Sequence, residues 1–119
     1  MRLQHSFEIS INNNLIIGNG QQGIMLISNC TNGSYSGNNL YKNDKYGIII
    51  NKGSSNNNTI QENIFIHNNG TGNVHDPMKS QARDDDVSNQ WYNETSQRGN
   101  FWWDRRIPDA DENGIIDVP

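Results

Sequence analysis

A short pattern, Asn-x-(Leu/Ile)-x-x-Asn, occurs three times in the first half of the chain: Asn14–Asn19, Asn38–Asn43 and Asn58–Asn63, at offsets of 24 and 20 residues. A second pattern interleaves with it, as Gly23-Ile24-Met25-Leu26 and Gly47-Ile48-Ile49-Ile50, again 24 apart, and Phe7-Glu8-Ile9 reads as a degenerate earlier copy. A period of 20 to 24 residues built from short apolar runs and turns, with no helical stretch, specifies a solenoid. Each cycle reads as two short strands separated by corners such as Ser28–Gly33 and Lys52–Asn57. The expected fold is therefore all-β: a right-handed parallel β-helix of about three coils over residues 1–73, closed by an irregular aromatic and acidic cap over 74–119.

Composition agrees with this reading. The 119 residues include 21 Asn and 11 Gly, which disfavour helix interiors and favour turns. Coils of a β-helix stack about 4.8 Å apart, so equivalent residues lie above one another. Ile16, Leu40 and Ile60 are expected to form one inward column, and Ile24, Leu26, Ile48 and Ile50 two more. Asn at the corners tolerates a left-handed backbone, and its amide can donate to a carbonyl one coil away, forming a ladder. Few large apolar residues are then needed, each worth roughly 1.5–3 kcal/mol when fully buried.

Charge and cysteine content limit the function classes. Residues 1–75 carry 4 Lys/Arg and 3 Asp/Glu, a net of +1, whereas 76–119 carry 5 and 10, a net of −5. The repeat region has no basic stripe for phosphate binding, so nucleic acid is not an expected partner. No window approaches a membrane span, and residues 1–10 show no secretory signal. The single Cys30 excludes an internal disulfide and multi-thiolate zinc sites. Residues 1–5 look too short to cover the first coil, which points to a fragment of a longer solenoid ahead of an edge-to-edge dimer, the outcome expected if Met1 is the true start.

The second half carries the candidate chemistry. Trp91, Tyr92, Phe101, Trp102 and Trp103 read first as a plug over the last coil and second as a stacking platform for sugar rings, with Trp91 and Trp103 as the stacking residues and Trp103 foremost. The run Asp109-Ala-Asp111-Glu-Asn113-Gly114-Ile115-Ile116-Asp117 reproduces the first nine positions of a calcium loop. Side-chain oxygens come from Asp109, Asp111, Asn113 and Asp117 and a carbonyl from Ile115, with Asp104 able to replace the missing position-12 carboxylate. Asp84-Asp85-Asp86 is a candidate second cation site or part of an active site, although consecutive residues cannot all face one point, and a cap-forming or solvated corner is the plainer reading. His5, His67, His75, Met25, Met78 and Cys30 include every usual copper ligand type, but only His75 and Met78 are loosely paired, so copper is not expected. The five Asn-x-Ser/Thr sequons at Asn29, Asn32, Asn57, Asn69 and Asn93 are what such an Asn content produces and carry no glycosylation claim.

The coil motifs, with Ala82-Arg-Asp-Asp-Asp86, Asn89-Gln-Trp91, Gly99-Asn-Phe-Trp102, Asp104 and the Asp109–Pro119 ending, resemble the C-terminal portion of NosD-like right-handed β-helix proteins of the carbohydrate-binding and sugar-hydrolase repeat group. The resemblance implies an exported protein, periplasmic or on the cell surface. No catalytic residue carries over. Three readings follow: a calcium-stabilised, non-catalytic module binding polysaccharide or a cell-surface protein; an enzyme on uronate polymers, with Arg83 beside Asp84–Asp86 as its only candidate set; and a copper-maturation accessory requiring His67, His75 and Met78 to converge.

Overall fold

The computed structural model describes residues 1–53, 55–70, 79–86, 88–93 and 95–103. Its eleven strands fall into three parallel sheets, so each coil contributes three strands rather than the two read from the sequence. The first coil comprises β1 (Arg2–Gln4), β2 (Ser10–Asn12) and β3 (Leu15–Ile17). The second comprises β4 (Ile24–Ile27), β5 (Ser34–Ser36) and β6 (Asn39–Tyr41), and the third β7 (Ile48–Ile50), β8 (Thr59–Gln61) and β9 (Ile64–Ile66). Two further strands, β10 (Ala82–Asp84) and β11 (Phe101–Trp102), carry two of the sheets one rung beyond the three complete coils. The third sheet is extended at the same level by a bridge from Thr59 to Gln90.

Strands of three residues place the middle side chain on one face and its flanks on the other. In the sheet β3-β6-β9-β11 the middle residues Ile16, Leu40 and Phe65 point inward with Trp102 above them. In β2-β5-β8 the inward column is Ile11, Tyr35 and Ile60. Ile60 thus belongs to a different sheet from Ile16 and Leu40, and Phe65 holds the place expected for it. The columns Ile24–Ile48 and Leu26–Ile50 stand as expected in β1-β4-β7-β10, with Leu3 beneath Leu26. The first-coil counterpart of Gly-Ile-Met-Leu is therefore the β1 segment; Phe7 instead bridges Thr31 and is exposed. Glycine opens each Gly-Ile run because a Cβ at Gly23 would lie 2.6 Å from the Gly47 carbonyl oxygen.

The corners divide two tasks between adjacent residues. A left-handed residue turns the chain, and the next residue points inward and bonds to neighbouring coils. Asn13, Gly37 and Glu62 have φ of 59°, 66° and 55° and precede Asn14, Asn38 and Asn63; Gly18, Lys42 and His67 do the same before Asn19, Asn43 and Asn68. The ladder residues are thus not the left-handed ones, although the sequence suggested that one Asn could do both. Asn38, Asn43, Asn58, Asn63, Asn68 and Asn100 are all buried. Each amide nitrogen donates backward to a main-chain carbonyl, as Asn38 does to Ile11 at 2.7 Å and Asn68 to Leu40 at 2.7 Å. These bonds satisfy the buried amides themselves, which allows polar residues to line the core at little net cost.

Candidate functional site

The three consecutive carboxylates end in three different environments. Asp84 lies on the inward column above Leu26 and Ile50. Its oxygens accept hydrogen bonds from the Trp91 indole at 2.9 Å, the Asn89 amide at 3.1 Å and the Asp86 main-chain N–H at 3.0 Å. Asp85 points outward to Arg83, whose Nε donates to it at 2.7 Å. That bond, with a further one to Tyr46, holds the Arg83 guanidinium above its ordinary pKa. Asp86 turns into the next corner and accepts the main-chain N–H groups of Ser55 at 2.6 Å and Gly53 at 3.3 Å. This is a cap-forming corner, and its carboxylates are not gathered around one point.

The aromatic residues separate in the same way. Trp102 stacks on Phe65 with centroids 4.3 Å apart and planes 10° from parallel, and Trp91 packs against both rings. Trp91, half-buried with its N–H donated to Asp84, belongs to this plug. Trp103 is the next residue in the strand direction and therefore faces outward, where it is 46% exposed. It meets the His67 ring edge-on at 5.4 Å, and His67 in turn lies 6.3 Å from Tyr41.

The outer face that Trp103 joins is largely apolar, interrupted by Asn39 on the second rung. Register places Leu15, Asn39, Ile64 and Phe101 in one outward column, and Ile17, Tyr41 and Ile66 in a second that continues to Trp103. Among the described residues, four of the six exposed large hydrophobics, Leu15, Ile17, Ile64 and Trp103, lie on this one face. Exposed apolar side chains are thus concentrated on one face of the described structure. Among the described residues, Asn39 Oδ1, between Leu15 and Ile64, is buried without a hydrogen-bond partner.

At the Trp103 end the face deepens into an open cleft of about 520 Å³. Ile64, Ile66, Phe101 and Trp103 form its apolar floor and wall, and Glu62 and Arg98 its polar end. The size lies within the range of roughly 300–1,000 Å³ common to small-molecule sites. Glu62 is placed by its main-chain bond to the Gly99 carbonyl at 2.8 Å, and its carboxylate accepts from the Ser96 hydroxyl at 3.4 Å. Arg98 is placed by reciprocal main-chain bonds with Asn93, at 2.8 and 3.2 Å. Glu62, Arg98, Ile64 and Ile66 carry no local signal in the sequence, because their convergence depends on pleat and coil register.

The proposed calcium ligands Asp104, Asp109, Asp111, Asn113, Ile115 and Asp117 lie outside the described residues, as do His75 and Met78. Among the described residues no three His, Cys, Asp or Glu side chains gather as a metal site. Cys30 is buried at a corner, its thiol directed at the Ile27 carbonyl at 3.4 Å, and His5 lies at the exposed corner of the first coil near Asn29. No helix among the described residues is long and apolar enough to cross a membrane.

Parallel strands stacked in register and inward Asn ladders define a β-solenoid. Residues 2–87 match the family model for the right-handed β-helix region, and the chain belongs to that family. Neither a curated protein nor a solved structure matches it.

Proposed function

We propose that this chain is a non-catalytic binding module that holds polysaccharide against the outer face of the β3-β6-β9-β11 sheet, with Trp103 as the principal stacking residue. The observation that carries this reading is the exposed indole of Trp103 beside the apolar cleft, on a sheet face where large apolar residues recur from rung to rung. Sugar rings present C–H faces that pack on aromatic and aliphatic surface, while their hydroxyls reach polar groups at the rim. A rigid stack of short strands suits such a task, since binding orders little of the protein.

The same proposal places the module outside the cytoplasm and gives it calcium in the Asp109–Asp117 loop. These two parts rest on the NosD-like run of residues 89–119 and on the loop's ligand spacing. A catalytic reading is less well supported, because Arg83 is paired with Asp85 and the neighbouring carboxylates are spent on hydrogen bonds within the cap.

Affinity electrophoresis through gels containing soluble polysaccharides tests the binding reading. Wild-type protein is expected to be retarded by at least one polymer, and Trp103→Ala to migrate as in a polymer-free gel. Retardation by none, or equal retardation of both proteins, would refute it.

A further inference from the structure

Resting on the glycan-binding reading, we infer that His67 is the positioning residue of that surface: its imidazole holds the Trp103 indole in an orientation that leaves a ring face open to a sugar. The main chain at Trp103 is fixed by its N–H bond to the Phe65 carbonyl at 3.0 Å. The side chain is fixed less firmly: it is 46% exposed, and among the described residues no hydrogen bond engages its indole N–H. An exposed indole without support samples several rotamers, and giving them up on binding costs affinity. Among the same residues one ring meets it, that of His67, with centroids 5.4 Å apart and planes 87° from parallel. An edge-to-face pair covers at most one face of the indole, so the contact restrains the ring without occupying both of its stacking surfaces.

The imidazole projects from a fixed point. His67 follows β9 with φ of 54°, and its main chain is anchored on both sides. The Ile66 carbonyl accepts the Lys42 N–H at 3.0 Å, and the buried Asn68 donates its main-chain N–H to Gln81 at 3.0 Å and its amide to the Leu40 carbonyl at 2.7 Å. His67 therefore stands one rung below Trp103 and one above Tyr41, whose ring lies 6.3 Å from the imidazole and carries the Lys42 ammonium 5.0 Å from its own centroid. The same corner is occupied by Gly18 and Lys42 in the two coils below, both also left-handed. The turn itself thus needs no ring. Histidine tolerates a left-handed backbone, and of the three corner residues it alone brings an aromatic ring to the rung beneath Trp103. Losing the imidazole should spare the coil while releasing the stacking residue.

Labelling the full chain with 5-fluorotryptophan gives one fluorine resonance for each of its 3 Trp, that of Trp103 being identified by its loss in Trp103→Ala. His67→Asn keeps a residue that tolerates the turn and removes the ring. It is expected to shift the Trp103 resonance, to leave those of Trp91 and Trp102 in place and to leave the thermal midpoint unchanged. In gels containing hydroxyethyl cellulose, xylan, polygalacturonate or alginate, it is expected to bind the polymers that retard wild type roughly three- to tenfold more weakly, the worth of one aromatic pair. His67→Phe, which restores an aromatic ring, is expected to recover most of that loss. An unmoved Trp103 resonance in His67→Asn would overturn the inference whatever the binding. So would undiminished retardation of that variant, or a loss that His67→Phe does not recover, since the imidazole would then be idle or a direct ligand contact. Wild-type protein retarded by none of the polymers would instead remove the binding reading itself, while the resonance would still report whether His67 restrains the indole.

Discussion

The side-chain oxygen of Asn63 accepts both the main-chain and the side-chain N–H of Asn38, each at 3.0 Å, and so joins the second coil to the third through a single buried atom. The Asn63 amide continues the relation by donating to the Tyr35 carbonyl at 2.8 Å and to Asn100 Oδ1 at 3.0 Å. Removing this side chain leaves the Asn38 main-chain N–H without its acceptor in the core and takes one donor from the Tyr35 carbonyl. Each buried group left unpaired costs about 1–3 kcal/mol, so Asn63→Ala is expected to lower unfolding free energy by about 3 kcal/mol or more in urea titration. Asn14, the exposed first member of the same ladder, also bonds to Asn38, and Asn14→Ala is expected to cost less than about 1 kcal/mol. Equal losses at both positions would mean that burial does not set the value of a ladder bond.

Asn39 offers the converse case. Its side chain lies on the outer sheet face between Leu15 and Ile64, and its shielded Oδ1 has no partner among the described residues. Asn39→Val removes an unsatisfied polar atom, supplies a β-branched residue to a strand and continues an apolar column. A gain of about 1 kcal/mol is expected in the same titration. A loss would show that the amide has a partner, such as water, whose removal matters more.

How much of this was legible follows from the corners. The stacking, the inward Asn ladders and the Ile24–Ile48 and Leu26–Ile50 columns could be read from the 24-residue offset because those segments share one local pattern and one register. The error at Ile60 has a physical origin. An inward corner residue, a strand with an inward centre, a left-handed residue and an inward Asn occur twice in each coil, as in Gly33–Asn38 and Asn38–Asn43. Local sequence cannot say which of the two it is reading, and Asn58–Asn63 belongs to the first kind. The outer face was illegible for a related reason. Leu15-Ile16-Ile17 and Ile64-Phe65-Ile66 are uniformly apolar, so only the pleat reveals that their centres are core and their flanks are surface.

Calcium removal tests the acidic tail. If Asp109, Asp111 and Asp117 ligate the ion, binding to the folded form alone stabilises it by mass action. Asp111→Ala is expected to lower the thermal midpoint in calcium and to leave it unchanged in chelator. Equal losses in both buffers would remove the ion from the proposal.

Tyr35 gives a pH dependence with a defined sign. Burial, reinforced by Cys30, pushes its phenol up to about 12 from 10.0. A raised pKa means that the folded state holds the proton more tightly than the unfolded one, so the contribution is complete below pH 10 and is lost as pH rises toward 12. Urea midpoints are therefore expected to fall more steeply across that window for wild type than for Tyr35→Phe. Parallel slopes would place the phenol in contact with solvent.

Adjacent tryptophans provide the sharpest separation of fold from function. Trp102 stacks on Phe65 at 4.3 Å within the plug, whereas Trp103, pointing the opposite way from the next position, is 46% exposed. Deleting a packed indole leaves a cavity, so Trp102→Ala is expected to cost about 3–5 kcal/mol. Trp103→Ala is expected to change stability by no more than about 0.5 kcal/mol while abolishing polysaccharide retardation. Fluorescence-monitored unfolding and affinity electrophoresis of the two variants measure both quantities. If Trp103→Ala unfolds the chain as readily as Trp102→Ala, its indole belongs to the cap, and the outer face loses its stacking residue.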